Sequence, residues 1–334
     1  MTHAAPTDEV LELTPDSINV AKSIESVDQA DSGVQPHMRK LIVLAFVGLV
    51  AQLIDGSLGM AYGVTSSTLL LATGVSPAAA SAAVHFSEIG TSLVSGLSHH
   101  RLGNVDWRTV SILAVPGFAG AFVGATFLAS LDGDTAKPWV AAILLALGAY
   151  VVWRFLVLGG CRPTFKSRPS AGFLAPMGVV GGALDAIGGG GWGPVGTTTL
   201  LSSGRLEPRK VIGSIDTSEF LVAVGGSLGF LLALGSQGIE WGYAAALLAG
   251  GVVAAPVAAW LVKKLAARVL GVAAGGLIIL TNSKTIAEAF GASGSQVLAL
   301  AIAVGALWVG GIVWAVQQER LSRERVEEPE LVAA

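Results

Sequence analysis

Long apolar segments follow one another along most of the chain, separated by short polar stretches. An uncharged apolar segment of about 20 residues is long enough to cross a membrane as an α-helix. The pattern therefore predicts an all-α integral membrane protein. Its full-length spans are expected at residues 78–98, 109–131, 138–158, 211–234, 241–262, 267–281 and 296–316.

Two pairs of shorter apolar segments interrupt this series, 41–54 with 64–73 and 171–187 with 194–203. At about 1.5 Å per residue, residues 41–54 reach only about 21 Å, which is less than the ~30 Å hydrocarbon core. Glycine-rich sequence joins the members of each pair. We expect each pair to form a Gly-broken helical hairpin inside the membrane, the alternative being close helix packing through small residues.

The two broken segments are copies of one sequence. Matching residues are 130 positions apart up to Gly204 and 131 apart beyond one inserted residue. The chain is therefore an internal duplication. Its matched pairs include Asp55 with Asp185, Gly59 with Gly189, Gly63 with Gly193, Thr68 with Thr198, Pro77 with Pro208, Ser87 with Ser218 and Glu88 with Glu219.

The placement of Lys and Arg predicts the topology of the two copies. Residues 154–168 carry four basic residues and are therefore placed in the cytoplasm. If each broken pair enters and returns, Gly74–Pro77 lies outside and Arg205–Lys210 lies inside. Equivalent loops then face opposite sides, which is an inverted-topology repeat, typical of secondary transporters. Each repeat has one broken hairpin and about three spans, and one extra span follows.

The expected domain organisation follows from these segments. The first residues are polar and acidic, and they lack the basic start and apolar stretch of a signal peptide. The expected divisions are an acidic disordered N-terminal tail (1–38), membrane repeat 1 (39–158), a cytoplasmic basic linker (159–170), membrane repeat 2 (171–281), a loop and additional transmembrane helix (282–316) and a polar C-terminal tail (317–334).

Composition excludes several classes of protein. Charged residues make up 13% of the chain, against about 25% in soluble domains. No basic stripe suits a nucleic-acid partner, and the single Cys161 excludes an intrachain disulfide and a cysteine metal cluster. One histidine within the spans and scattered carboxylates lack zinc-ligand spacing, so we expect no metal and no cofactor. The Gly-x-Ser-x-Gly match at residues 225–229 lies inside an expected span and not in a strand-to-helix turn, so it is no nucleophile elbow, and we expect no enzyme activity.

The broken segments have the composition of an anion site. Glycines let backbone N–H groups approach a ligand, and helices that restart after a break direct positive dipole ends toward it. Hydroxyl side chains follow on the first turns; the alternative for these is a bond to their own helix backbone. The expected substrate-binding residues are Gly59, Gly63, Thr65, Ser66, Ser67, Gly189, Gly190, Gly191, Gly193, Thr197, Thr198 and Thr199.

Few ionisable residues lie within the predicted spans and breaks. Such groups are costly in a membrane and mark ion pathways or proton relays, although any one of them could merely hydrogen-bond a neighbouring helix. An imidazole titrates near neutrality and suits proton exchange. The expected proton-coupling residues are His85, Glu88, Asp216, Glu219, Asp55 and Asp185.

The duplicated pattern resembles the sulfite exporter TauE/SafE family, also called the toluene-sulfonate uptake permease family. The residues that carry the resemblance are the Gly-rich run 185–194, Gly204, Pro208, Ser218 and the segment 103–107. The resemblance covers about residues 40–281. It implies an integral membrane carrier of sulfite, sulfonates or related organic anions that is driven by the proton gradient.

The first copy departs from this pattern, because residues 56–63 replace the pure glycine run and would shape half of the site. We therefore expect a multi-pass secondary transporter of a small anion in the cell (plasma) membrane, with sulfite favoured and protons as the coupling ion. An anion channel and an intramembrane enzyme are the alternatives. The lipid bilayer is its other partner, and homo-oligomerisation is left open.

Overall fold

The computed structural model describes residues 38–157, 168–261 and 267–332, and its regular elements in these ranges are all helices, as the apolar pattern predicts. Most of the predicted N-terminal tail (1–38) and most of the linker 159–170 lie outside the described residues. The helices are α1 (Met38–Leu58), α2 (Tyr62–Ala72), α3 (Pro77–Arg101), α4 (Trp107–Ala129), α5 (Gly133–Val157), α6 (Ala171–Gly188), α7 (Trp192–Ser203), α8 (Pro208–Leu234), a 3₁₀ turn (Ser236–Gly238), α9 (Trp241–Leu261), α10 (Ala267–Ala289) and α11 (Gly294–Val332).

Seven of the described helices are long and apolar enough to cross a membrane: α1, α4, α5, α6, α8, α9 and α11. The helices α2 and α7 have only 11 and 12 residues. At about 1.5 Å per residue they reach about 17–18 Å, well short of the ~30 Å hydrocarbon core. Each broken pair therefore joins a long helix to a short one.

Several helix boundaries differ from the sequence-based expectation, and three helices continue into polar sequence. The helix α1 continues to Leu58, past the apolar segment that ends at residue 54. The helix α10 continues to Ala289, past the expected end of repeat 2 at residue 281. The helix α11 runs on to Val332 through the polar stretch expected as a tail. These helices continue through polar residues, because each added residue forms a backbone hydrogen bond within the helix whether or not its side chain is apolar.

The helices repeat in order, with α1–α5 matching α6–α10 and α11 added at the end. Within residues 44–332, the packing also repeats with the two halves exchanged. A Cβ atom on Gly178 of α6 would lie 2.9 Å from the Leu113 carbonyl oxygen of α4, and one on Gly48 of α1 would overlap the equivalent Leu247 carbonyl of α9. Small residues thus let each broken pair pack on the other half.

The two equivalent turns Gly74–Pro77 and Gly204–Pro208 lie near opposite ends of α4. Next to the second turn, Lys210 Nζ donates to the Val105 carbonyl at 3.0 Å, just before α4 begins. At the far end, a Cβ atom on Gly133 would lie 3.6 Å from Ser76 Cβ. This arrangement agrees with an inverted repeat, whose orientation in a bilayer stays a prediction.

Single-cysteine labelling tests that orientation, after Cys161→Ser removes the only natural thiol. We expect Ser76→Cys to react from outside and Glu207→Cys from inside, because both positions are exposed turns. Arg209 Nε donates to Glu207 Oε2 at 2.8 Å and lowers the pKa of that exposed carboxyl, so the second turn carries a charged pair. Labelling of both cysteines from one face would contradict the inverted repeat.

Candidate functional site

A carboxylate bridges each break between a long and a short helix. Asp55 Oδ1 accepts from the Tyr62 backbone N–H at 3.2 Å. Asp185 Oδ1 accepts from the N–H groups of Gly191 at 2.6 Å and Trp192 at 2.9 Å. The first N–H groups of a helix lack intrahelical partners, and a carboxylate there is favoured by the helix dipole. In this conformation, side chains of the protein occupy the helix starts that the sequence assigned to a substrate anion.

Variants of Asp185 separate this capping role from its charge. We expect Asp185→Ala to lower stability by about 1–3 kcal/mol, because it leaves two buried N–H groups without their acceptor. Asp185→Asn keeps an oxygen at the same position and is expected to retain most of the stability. Thermal melting of the purified protein in detergent measures both. An equal loss of stability in the two variants would show that the negative charge of Asp185 stabilises the break, and not the hydrogen bonds that it accepts from the helix start.

The two breaks pack directly on each other. A Cβ atom on Gly63 would lie 2.7 Å from both the carbonyl oxygen of Gly189 and the Cα of Gly190. In the repeat-related contact, a Cβ atom on Gly193 would lie 2.6 Å from the carbonyl oxygen of Gly59. Backbone fills the space above these glycines, so this conformation has the close packing that the sequence left as the alternative. An anion between the breaks requires them to move apart.

The predicted hydroxyl groups fall into three sets. Ser67 Oγ donates to the Gly189 carbonyl at 2.6 Å, and Thr197 Oγ1 donates to the Gly59 carbonyl, so both tie one break to the other. Thr198 bonds the Pro194 carbonyl of its own helix, as the alternative reading expected. Thr65 and Ser66 are buried in the first turn of α2, and their hydroxyls have no partner among the described residues.

The six predicted coupling residues meet in two buried groups. The first triad is His85, Glu88 and Asp185, and the second triad is Asp216, Glu219 and Asp55; within each, the ligand atoms lie within 4.8 Å of one another. Each triad combines two residues of one half with the aspartate of the other half. The second triad consists of the repeat equivalents of the first. The sequence therefore predicted which residues belong to the triads, and the fold determines that each aspartate joins two residues of the other half.

The first triad is poorly satisfied by the surrounding protein. His85 Nδ1 lies 2.9 Å from the Ser81 carbonyl, which can only accept, so this nitrogen carries a proton. His85 Nε2 lies 3.3 Å from Asp185 Oδ2. Neither carboxylate oxygen of Glu88 has a hydrogen-bond partner among the described residues, although this side chain is buried.

Hydrogen-bond donors from α3 surround the second triad. Ser95 Oγ donates to Asp216 Oδ2, and Ser92 Oγ donates to Glu219 Oε2 at 3.1 Å. His99 Nε2 lies 3.3 Å from Asp216 Oδ2. These three donors were not predicted from the sequence, because the expected span ends at residue 98 and the serines lie away from the breaks. Their spacing of three and four residues, which places them on one helix face, was the available signal.

The triads remove one reason for expecting no metal site. Scattered carboxylates were the reason to expect no metal, yet the fold gathers one nitrogen and two oxygen ligands in the first triad and three carboxylates in the second. The protein can therefore place cation ligands together at either triad. The expectation of no metal stays a prediction.

Comparisons with known proteins agree on one family of membrane transporters. The model of a family described as "Sulfite exporter TauE/SafE" matches residues 44–285. A Bacillus subtilis (strain 168) protein named "Probable membrane transporter protein YtnM" is 49% identical over 280 residues, which is 83% of this chain and 93% of that protein. A Haemophilus influenzae "Probable membrane transporter protein" is 26% identical over 142 residues, or 42% of this chain and 52% of that protein. No solved structure gives a significant match.

Proposed function

The chain belongs to the sulfite exporter TauE/SafE family of membrane transporters, and from that premise we propose that it carries small sulfur-containing anions across the cytoplasmic membrane together with protons. Sulfite is the favoured substrate, and a sulfonate or another organic anion is the alternative. The anion binds near the membrane midplane, between the two breaks, when these move apart.

The charge balance around the two triads is the observation that carries proton coupling. Five buried carboxylates belong to the triads, and among the described residues the imidazoles of His85 and His99 are the basic groups that pair with them. Unpaired charges are costly inside a membrane. Two imidazolium groups can balance at most two of five carboxylates, so the remainder is most stable when it holds protons.

Those protons also make anion binding favourable. An anion that approaches ionised carboxylates is repelled, and the repulsion is strong where little water is present. Neutral carboxyl groups remove the repulsion and can donate hydrogen bonds to the anion. Anion and protons therefore enter the site together, which is the behaviour of a symporter in either direction of transport.

Glu88 links the proton to the break. A Cβ atom on Gly63, in the first turn of α2, would lie 2.9 Å from Glu88 Oε1. The carboxyl therefore rests on the short helix that must move to admit an anion. When the breaks separate, the unpartnered hydroxyls of Thr65 and Ser66 become donors for that anion.

Flux into proteoliposomes tests the proposal and its rivals. We expect saturable uptake of sulfite that is driven by a pH gradient, acid on the side of the anion, and that weakens when the gradient is removed. An ohmic, non-saturating current would favour a channel. Chemical conversion of the added anion would favour an enzyme.

A further inference from the structure

The helices α3 and α8 are repeat equivalents, but the faces that they present to the triads differ in chemistry. Positions 131 residues apart pair Ser92 with Ala223, Ser95 with Gly226 and His99 with Phe230. The face of α3 is therefore polar at all three positions, and the face of α8 is apolar at all three.

Equivalent positions occupy equivalent places beside the two triads. His99 lies against Asp216 of the second triad, and the Phe230 ring lies edge-on to the equivalent His85 of the first triad, with ring centroids 5.8 Å apart. Likewise Ser95 bonds Asp216, and a Cβ atom on Gly226 would lie 2.7 Å from His85 Nε2. The same place thus holds proton-exchanging groups in one half and hydrocarbon in the other.

The polar face continues toward the turn after α3. Asn104, which follows the exposed residues 102–103 in the chain, is fully buried, and its Nδ2 lies 3.2 Å from His99 Nδ1. On its other side, His99 Nε2 lies 3.1 Å from the Gly56 carbonyl and 3.3 Å from Asp216 Oδ2. One imidazole therefore spans the distance between the turn after α3 and the second triad.

We propose that His99 relays protons between the turn 102–106 and the second triad, and that Phe230 closes the equivalent route to the first triad. This inference rests on the proton coupling proposed above. In this closed conformation the second triad then exchanges protons with water through His99, on the side predicted to be cytoplasmic, and protons from the other side enter when the breaks move apart.

The relay balances as one proton taken up and one delivered. With Asn104 Nδ2 donating to Nδ1, neutral His99 carries its proton on Nε2. When Asn104 swings aside, water of the turn delivers a proton to Nδ1, and the imidazolium passes its Nε2 proton to Asp216 Oδ2. The Asn104 Oδ1 atom, which has no partner among the described residues, can accept from the new Nδ1–H group. The starting tautomer returns when Nε2 takes up a proton and Nδ1 releases one, with Asp216 as the proton donor in the reverse step and water as the donor otherwise.

The charged groups around His99 identify its partner in the transfer. Asp216 faces it from α8, and Asp55 of α1 follows in the second triad. At the turn, Lys210 bonds the Val105 carbonyl and Asp106 accepts from the Thr109 N–H, so each already has a partner. Asp216 is therefore the carboxylate placed to take the proton from Nε2.

His99→Phe, which installs the residue of the equivalent position, tests the relay in proteoliposomes. Two fluxes are compared: anion exchange at equal pH on both sides, which moves no net proton, and net uptake driven by a pH gradient. We expect His99→Phe to keep the exchange and to lower the driven uptake about 100-fold, the usual contribution of a positioned acid–base group. Phe230→His is expected to add a proton leak in the absence of anion, because it opens the second route.

A control variant and a second His99 variant complete the test. His100→Gln changes the neighbouring imidazole, which faces Trp107 instead of the triads, and is expected to keep both fluxes. Should His99→Phe fail to fold, His99→Gln carries the test. Driven uptake that survives in both His99 variants would overturn the relay while leaving the transporter proposal intact. Absence of driven uptake in the unaltered protein would instead overturn proton coupling itself.

Discussion

Glu88→Gln is expected to lower anion flux driven by a pH gradient about 100-fold, the scale on which loss of a proton-transfer group acts. Glutamine matches glutamate in size but cannot take up or release the proton. Because neither oxygen of Glu88 has a hydrogen-bond partner among the described residues, the substitution removes no such bond. The measurement is initial uptake into proteoliposomes as a function of external pH, with folding checked by melting temperature.

Two companion variants make this result specific. His85→Gln is expected to shift or flatten the same pH profile with less loss of anion binding at fixed pH, since it removes a titrating ring but retains polar volume. Glu240→Gln, at an exposed position before α9, is the matched control and should leave the profile unchanged. If Glu88→Gln and His85→Gln both keep the wild-type profile, these residues are structural, and coupling must be sought at Asp55 and Asp185.

Gly190→Leu is expected to abolish flux while the protein still inserts in the membrane. A Cβ atom at this position would overlap the backbone nitrogen of Val64, so a larger side chain forces the two breaks apart and blocks the space between them. A tightly packed site has no room for added atoms without displacement of backbone. Uptake into proteoliposomes and equilibrium binding of sulfite measure the loss.

Gly172→Leu is the control for this change, because a Cβ atom on Gly172 would meet no other atom within 4 Å. It adds the same side chain on the exposed start of α6 and should retain flux. Unchanged sulfite affinity in Gly190→Leu would separate the breaks from the anion site. The glycines would then serve close helix packing, and the anion would bind elsewhere.

Some structural features followed from local sequence. Apolar segments predicted the helices, because a backbone in a membrane must satisfy its own hydrogen bonds. The constant offset between matched residues, such as Asp55 and Asp185, revealed the duplication. The carboxylates between apolar segments marked the candidate coupling residues. The confirmed family follows from the same repeated residues. These are properties of short stretches of chain, so periodicity and composition are sufficient to detect them.

The tertiary structure decided which residues meet. A spacing of three residues puts His85 and Glu88 on one helix face, but their third partner is Asp185 from the other half, not Asp55 from their own. It also could not show that Asp185 caps α7, or that Gly63 and Gly190 touch. The role proposed for His99 depends on the packing of α3 beside Asp216. Contacts between residues about 100 or more positions apart depend on how the two halves pack, and local pattern carries no information about that packing.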